Sequence, residues 1–327
     1  MAYSSEVLNK ARQRLEREKA EKQSKYFANL EVAYGAVPRL RQIDALLRQN
    51  MAQAVQSAFA KDGNPMDAIE AAKKENRALQ QERQELISSC FPADFLDETP
   101  YCPHCGGVGY VGKTMCSCLQ ELCRQEQMEQ LRSLTCGQGN FADFRLDYYS
   151  DRIDPKIGVS PRAVMELNLR ACKRFAQQFG KGNLLFVGGT GLGKTFLSAC
   201  IATQVASMGH SVCYESAAHL FSNLEKSRFS SDEAALQACQ KYDNCELLIV
   251  DDLGTELPGN FVTAALYNLV NDRLLAEKPM IISTNLTIEE IGRRYSPQIA
   301  SRLQGSFQRL TFVGEDIRVQ KNRGVLV

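Results

Sequence analysis

The chain has 327 residues, with 39 basic and 38 acidic side chains and a formal net charge of +1. That balance excludes a global electrostatic pull toward nucleic acid or membrane, so any such contact has to come from a local patch. No run approaches the ~18 apolar residues of a membrane span, and the opening Met1-Ala-Tyr-Ser-Ser-Glu6 lacks the apolar core of a secretory leader, so a cytoplasmic protein with no membrane partner is expected.

Residues 1–90 are polar, rich in Glu, Gln, Lys, Arg and Ala, and almost free of strand signals. Ser4 to Ala28 reads as a charged helix. Pro38 can open a second, with Leu40, Ile43, Leu47, Met51 and Val55 at helical spacing. Asp62-Gly-Asn-Pro65 is a break, and a third helix runs from about Met66 to Ser88 with Ile69, Ala72, Leu79 and Leu86 on a narrow face. Two readings fit equally: a solvated helical arm or small bundle, or a partner-binding module that buries its apolar stripes on another protein.

The next segment, 91–135, holds most of the interest of the chain's 12 cysteines, five of which lie between 102 and 123. In a reducing compartment a disulfide framework is disfavoured, so the cluster points to metal and the scattered thiols to packing. Cys102-Pro-His104-Cys105-Gly-Gly is followed by Cys116-Ser-Cys118. A C-x-x-C knuckle and a second thiolate pair can close a tetrahedron around Zn²⁺, here through Cys102, Cys105, Cys116 and Cys118. The C-x-C spacing is tight, so Cys123 or His104 could replace one ligand. Such a closed site has no open position for a substrate, and its role would be structural; redox chemistry or chance clustering are the competing readings, weakened by two paired motifs around a glycine turn outside any βαβ unit.

From about Cys136 the composition shifts to alternating apolar strands and helices. Strands are expected at Asn183–Val187, Ser211–Glu215, Leu247–Val250, Met280–Ser283 and Arg309–Phe312, with helical patterns between the first four. That is the signature of a parallel, doubly wound α/β sheet over 136–327. Between the first strand and its helix lies Gly188-Gly189-Thr190-Gly191-Leu192-Gly193-Lys194-Thr195, which fits the phosphate-loop pattern G-x-x-x-x-G-K-[ST]. Backbone N–H groups at the helix start form an anion site; Lys194 would reach the β- and γ-phosphates of ATP and Thr195 would hold Mg²⁺. The third strand ends in Asp251-Asp252. Asp251 would bind Mg²⁺ through water and Asp252 could polarise an attacking water. Asn285, after the fourth strand, could orient that water or simply cap the turn before Thr287. Taken alone, Arg302 and Arg318 would be surface residues.

These elements together resemble an AAA+ ATPase of the bacterial replicative-helicase-loader group, the DnaC/DnaI type, with the IstB transposition helpers close by. The resemblance is carried by Gly188–Thr195, Leu247–Gly254 with Thr255-Glu256, Ile281–Asn285, Ser301-Arg302-Leu303 and Gly314–Arg318, and by Phe95–Cys102 leading into the cysteine cluster. The resemblance covers roughly residues 90–320 and implies a P-loop sheet with flanking helices, preceded by a zinc-binding segment (91–135); residues 1–90, only generically similar, are expected to form a helical partner-binding region. It implies Asn285 as sensor 1, Arg302 as a trans-acting arginine finger, Arg318 as sensor 2, and self-association through the ATPase domain. The partners it implies are a DnaB-type replicative helicase and single-stranded DNA, with a transposase-recruiting helper as the alternative. Asp252 departs from the Glu found there in many AAA+ proteins, which implies slow hydrolysis. His219–Phe229, with Lys226 and Arg228, would face DNA in a loader; by composition it is equally an amphipathic helix with Leu220, Phe221 and Leu224 in the core.

Overall fold

The computed structural model describes residues 3–58, 65–134, 139–229 and 233–322. The break at 62–64 and the compositional shift at Cys136 lie outside the described residues. The contacts define two compact units, Gln13–Cys118 and Met1–Arg12 with Leu119–Val327.

The first unit holds most of three helices, α1 (Ser5–Ala36), α2 (Pro38–Ala58) and α3 (Pro65–Cys90). Helix α1 runs well past Ala28 because nothing in its sequence interrupts it before Gly35. Pro38 opens α2, where a missing N–H costs no intrahelical bond. Ala33, Tyr34, Leu40 and Ile87 form a small core, with Phe91, Phe95 and Leu96 packed on it. Beside it Arg83 bridges Asp44 at 2.8 Å and Glu98 at 2.7 Å, and the Tyr34 hydroxyl donates to Asp44 at 2.7 Å. Only part of the expected α2 stripe is used: Leu40 and Ile43 are buried, while Met51 is 70% exposed. The side chains of Val55, Ile69 and Ala72 lie outside the described residues. On α3, among the described residues, Ile87 is buried, with Leu86 beside it only partly covered. A short antiparallel hairpin, β1 (Tyr110–Val111) and β2 (Thr114–Met115), completes this unit.

The second unit is a five-stranded parallel sheet with helices on both faces. Helices α4 (Ser117–Leu134, of which Leu119 onward belongs here) and α5 (Pro161–Gln177) precede β3 (Leu184–Val187). There follow α6 (Lys194–Ser207), β4 (Val212–Ser216), α7 (Ala217–Phe229), α8 (Glu233–Asn244), β5 (Leu247–Leu253), α9 (Asn260–Leu275) and β6 (Met280–Thr284). The chain ends in α10 (Ile288–Arg294), α11 (Pro297–Ser306), β7 (Gln308–Thr311) and α12 (Ile317–Asn322). The strand order is β4-β5-β6-β3-β7. A parallel sheet covered on both sides needs continuous apolar strands, since successive side chains face opposite layers. In β5, Leu248 and Val250 enter the layer formed with α7, α9, α10 and α11, whereas Leu247 and Ile249 enter the layer formed with α5 and α6. Asn183, expected to begin β3, instead sits just before it. Its amide oxygen accepts from the Met280 N–H at 2.9 Å and its NH₂ donates to the Ser306 carbonyl at 3.1 Å, aligning β3 with its neighbours. The first turns of α1 belong to this unit, with Val7 and Ala11 buried and the Tyr3 hydroxyl donating to the Gly209 carbonyl at 3.1 Å. Among the described residues no helix is long and apolar enough to cross a membrane.

Candidate functional site

The phosphate loop joins β3 to α6. Its last glycine, Gly193, is the N-cap of α6 in the left-handed region (φ +88°) and supplies no side-chain cap. The first N–H groups of α6 are therefore left for an anion, with the positive end of the helix dipole behind them. A Cβ at Gly193 would meet the Tyr149 hydroxyl at 2.9 Å. At Gly191 (φ +71°) a Cβ would overlap the Asp316 carboxylate. The same glycine's carbonyl accepts from the Ile317 N–H at 3.0 Å, so the C-terminal turn lies against the loop.

Lys194 is 5% exposed. Its ammonium donates to the Gly188 carbonyl at 2.7 Å, the Gly189 carbonyl at 2.6 Å and Asn285 Oδ1 at 2.6 Å. Burial draws its pKa below the ordinary lysine value, opposed by the charges of Asp252 and Asp251. Asn285 is thus tied to the loop at the tip of β6.

The two carboxylates part company at the end of β5. In a regular strand they would simply point to opposite faces, but the β5–β6 register shifts between Val250 and Leu253 and Asp252 takes φ +54°. Asp251 is 6% exposed and held by two hydroxyls: Ser283 donates to Oδ1, and Tyr214 donates to Oδ2 at 2.8 Å. Ser283 Oγ also accepts from the Asp252 N–H at 2.8 Å, fixing the two residues to one another. Asp252 turns toward the cavity. Burial, then the adjacent Asp251 charge, raise its pKa above the ordinary aspartate value, with Lys194 and Arg318 pulling the other way.

A cavity of about 330 Å³ opens beside the loop, lined by Thr190–Phe196, Asp252, Thr255, Asn285, Ile317 and Arg318. Its remaining wall is Asp143, Phe144, Arg145, Tyr148 and Tyr149, from two short 3₁₀ turns at Phe141–Asp143 and Leu146–Tyr148. Phe144 stacks on Tyr149, with centroids 5.8 Å apart, and the Tyr149 hydroxyl donates to the Leu192 carbonyl at 3.0 Å. Polar groups at one side and aromatic rings at the other suit a nucleotide. The sequence contained this wall but offered no period to find it by; only its density of aromatics hinted at it. Asp252, Asn285 and Arg318 are brought to the loop. Arg302 is not: it stands on α11, away from this cavity's lining. Thr195 and Asp251 offer hard oxygen donors of the kind Mg²⁺ takes.

The thiols of Cys102, Cys105, Cys116 and Cys118 all lie within 4.8 Å of one another. Cys102 and Cys116 are 3.8 Å apart and Cys105 and Cys118 3.4 Å. A tetrahedron with Zn–S bonds of ~2.3 Å has S···S edges of about 3.8 Å, so the set fits Zn²⁺. The knuckle is shaped by its backbone: the Gly106 N–H donates to the Cys102 carbonyl at 2.8 Å and the Gly109 N–H to Cys105 Sγ at 3.3 Å. Hairpin β1–β2 then returns the chain to Cys116, whose N–H donates to the Gly109 carbonyl at 2.9 Å. Cys123 and His104 are outside this group.

Helix α7 buries Leu220 and Phe221, and Lys226 and Arg228 are exposed at its last turn. The side chain of Phe229 lies outside the described residues.

Comparison with known proteins finds relatives in sequence. A sequence model of the family described as IstB-like ATP binding protein matches residues 119–322. The chain is 23% identical over 139 residues to the replicative helicase loader DnaC of Escherichia coli (strain K12), covering 42% of this chain and 56% of that protein. It is 30% identical over 146 residues to the putative insertion sequence ATP-binding protein y4pL of Sinorhizobium fredii (strain NBRC 101917 / NGR234), covering 43% of this chain and 58% of that protein. The chain thus spans just over half the length of these curated relatives. Among solved structures, one of the DnaC helicase loader superposes with a TM-score of 0.44 at 18% identity, covering 53% of this chain and 98% of that one. One of DnaI gives 0.44 at 19% identity, covering 58% and 98%.

Proposed function

We propose, from the premise that this chain belongs to the IstB-like ATP binding protein family, that it is a slow, switch-like ATPase that loads a DnaB-type replicative helicase onto single-stranded DNA. Lys194 and the α6 N-terminus hold the phosphates, and the Phe144–Tyr149 wall covers the base. Thr195 and, through water, Asp251 would hold Mg²⁺, whose charge would neutralise the phosphates. Asp252 polarises the attacking water, Asn285 orients it and Arg318 reaches the phosphates from the same chain. Arg302 acts on the site of a neighbouring subunit, so hydrolysis depends on self-association. An aspartate at 252 is one methylene shorter than glutamate and stands further from the γ-phosphate, which favours slow turnover and a timing role.

The observation that carries the loader reading is the four-thiol cluster in Gln13–Cys118. The resemblance of Phe95–Cys102 and the cysteine cluster is to the zinc-binding N-terminal part of loaders of the DnaC/DnaI type, a part that IstB-type helpers generally lack. The transposition-helper reading draws on the 30% identity to an insertion-sequence ATP-binding protein. The two separate on an immobilised DnaB-type hexamer. ATP-dependent retention of the protein, with transfer of the hexamer to single-stranded DNA, is the expected result. No retention, together with ATP-dependent filaments on duplex DNA, would overturn loading in favour of the helper.

Zinc enters the same proposal as a structural ion. Chelation is expected to lower the melting temperature of the Gln13–Cys118 unit, seen by calorimetry as a separate transition, while the affinity for a fluorescent ATP analogue stays within about twofold. A collapse of ATP affinity on chelation would refute the purely local role.

A further inference from the structure

Arg302 rests on helix α9. Its Nη2 donates to the Tyr267 hydroxyl at 2.7 Å and to Asn271 Oδ1 at 3.1 Å, and its guanidinium carbon lies 4.4 Å from the centre of the Tyr267 ring. Tyr267 and Asn271 are four residues apart and share one face of α9, so together they make a two-point seat for a planar cation. That seat is rigid. Leu266, Leu269 and Val270 on the opposite side of α9 are buried, and Arg273 one turn on is 1% exposed and bonded to four main-chain carbonyls. On α11, Ile299 and Leu303 flank Arg302 and are fully buried.

Two features separate this seat from an ordinary surface pairing. Both partners are neutral, and among the described residues no carboxylate is paired with Arg302. Only Nη2 is engaged; among the described residues Nε and Nη1 make no hydrogen bond, so one edge of the fork is open. A long arginine otherwise gives up much rotamer freedom when it engages a phosphate, and a side chain held beforehand gives up less.

We propose that Tyr267 and Asn271 are positioning residues that hold the Arg302 guanidinium ready for the γ-phosphate bound by an adjoining subunit, a step that rests on Arg302 being the trans-acting finger. They touch neither nucleotide nor Mg²⁺ and act through Arg302. Loss of the seat lowers turnover in the adjoining subunit and leaves ATP binding there as it was.

Mixed assemblies of the full-length chain test this. Subunits with Arg302→Ala keep their own nucleotide site but lend no finger; subunits with Asp252→Asn lend a finger but lack the water-polarising carboxylate. Neither hydrolyses ATP alone, and the mixture is expected to recover activity. When the Asp252→Asn donor also carries Tyr267→Phe and Asn271→Ala, the recovered kcat is expected to fall about tenfold with KM for ATP unchanged. Recovery equal to that from the unaltered donor would overturn the seat. No recovery from any mixture, or full activity of Arg302→Ala alone, would overturn the finger itself. Tyr267→Phe retains the ring beneath the cation, and a donor whose melting temperature matches the parent ensures that the readout is not misfolding; where the double replacement fails to fold, Asn271→Ala alone carries the same comparison with an expected loss of about threefold.

Discussion

Arg273→Met is expected to cost about 3–5 kcal/mol of folding stability, the range for removing one side of a buried charged hydrogen-bonding set. Arg273 is 1% exposed. Nη1 donates to the carbonyls of Tyr242 (2.8 Å) and Cys245 (3.1 Å), and Nη2 to those of Glu246 (3.2 Å) and Pro279 (2.8 Å). These carbonyls sit where α8 turns into β5 and where the chain enters β6, so one side chain satisfies acceptors from two segments. Methionine keeps much of the length and apolar volume but donates to none of them. Each buried acceptor left unmade costs about 1–3 kcal/mol, and partial relaxation keeps the total below the simple sum. Urea unfolding of the Leu119–Val327 transition measures it. A loss under about 1 kcal/mol would show that water replaces the guanidinium without penalty. Arg273→Lys recovers only part, because a compact ammonium cannot reproduce the fork.

Lys194→Ala is expected to lower kcat/KM for ATP by about 10²–10³-fold, the scale seen when one donor that stabilises transition-state charge is removed. The side chain belongs to the site rather than to the core, and its hydrogen bonds go to the Gly188 and Gly189 carbonyls and to Asn285. Stability is therefore expected to change far less than activity. Steady-state hydrolysis together with thermal melting separates the two. A protein that melts normally and still hydrolyses ATP at the parent rate would remove Lys194 from the catalytic scheme.

The parallel sheet and the phosphate loop are readable in sequence for a physical reason. Strands buried on both faces, such as Leu247–Val250, must be apolar without interruption, and a helix that begins at a phosphate needs glycines and a lysine at fixed offsets. What pattern does not show is backbone geometry made by neighbours. The adjacent carboxylates of Asp251 and Asp252 look equivalent in sequence. They diverge because β5 slips against β6 and Asp252 takes a left-handed conformation pinned through Ser283. Tyr214 and Ser283, which hold Asp251, come from strands on either side of β5 and carry no motif. The Phe144–Tyr149 wall is irregular chain, invisible to any periodicity. The C-x-C spacing left Cys123 and His104 open as ligands, whereas the hairpin after Gly109 gathers four thiols and leaves those two outside. Met51 shows the reverse case: its helical spacing suggested a buried stripe, yet among the described residues it is 70% exposed.

The crowding around Gly191 and Gly193 bears on how far the octapeptide can travel. One glycine faces the Asp316 carboxylate and the other the Tyr149 hydroxyl, groups brought from opposite ends of the ATP-binding unit. The short pattern is therefore the imprint of two walls lying outside it. Grafted onto another strand and helix, the same eight residues would keep their freedom to wrap a phosphate but lose the flanks that choose one conformation among many. Portability of sequence does not carry portability of shape.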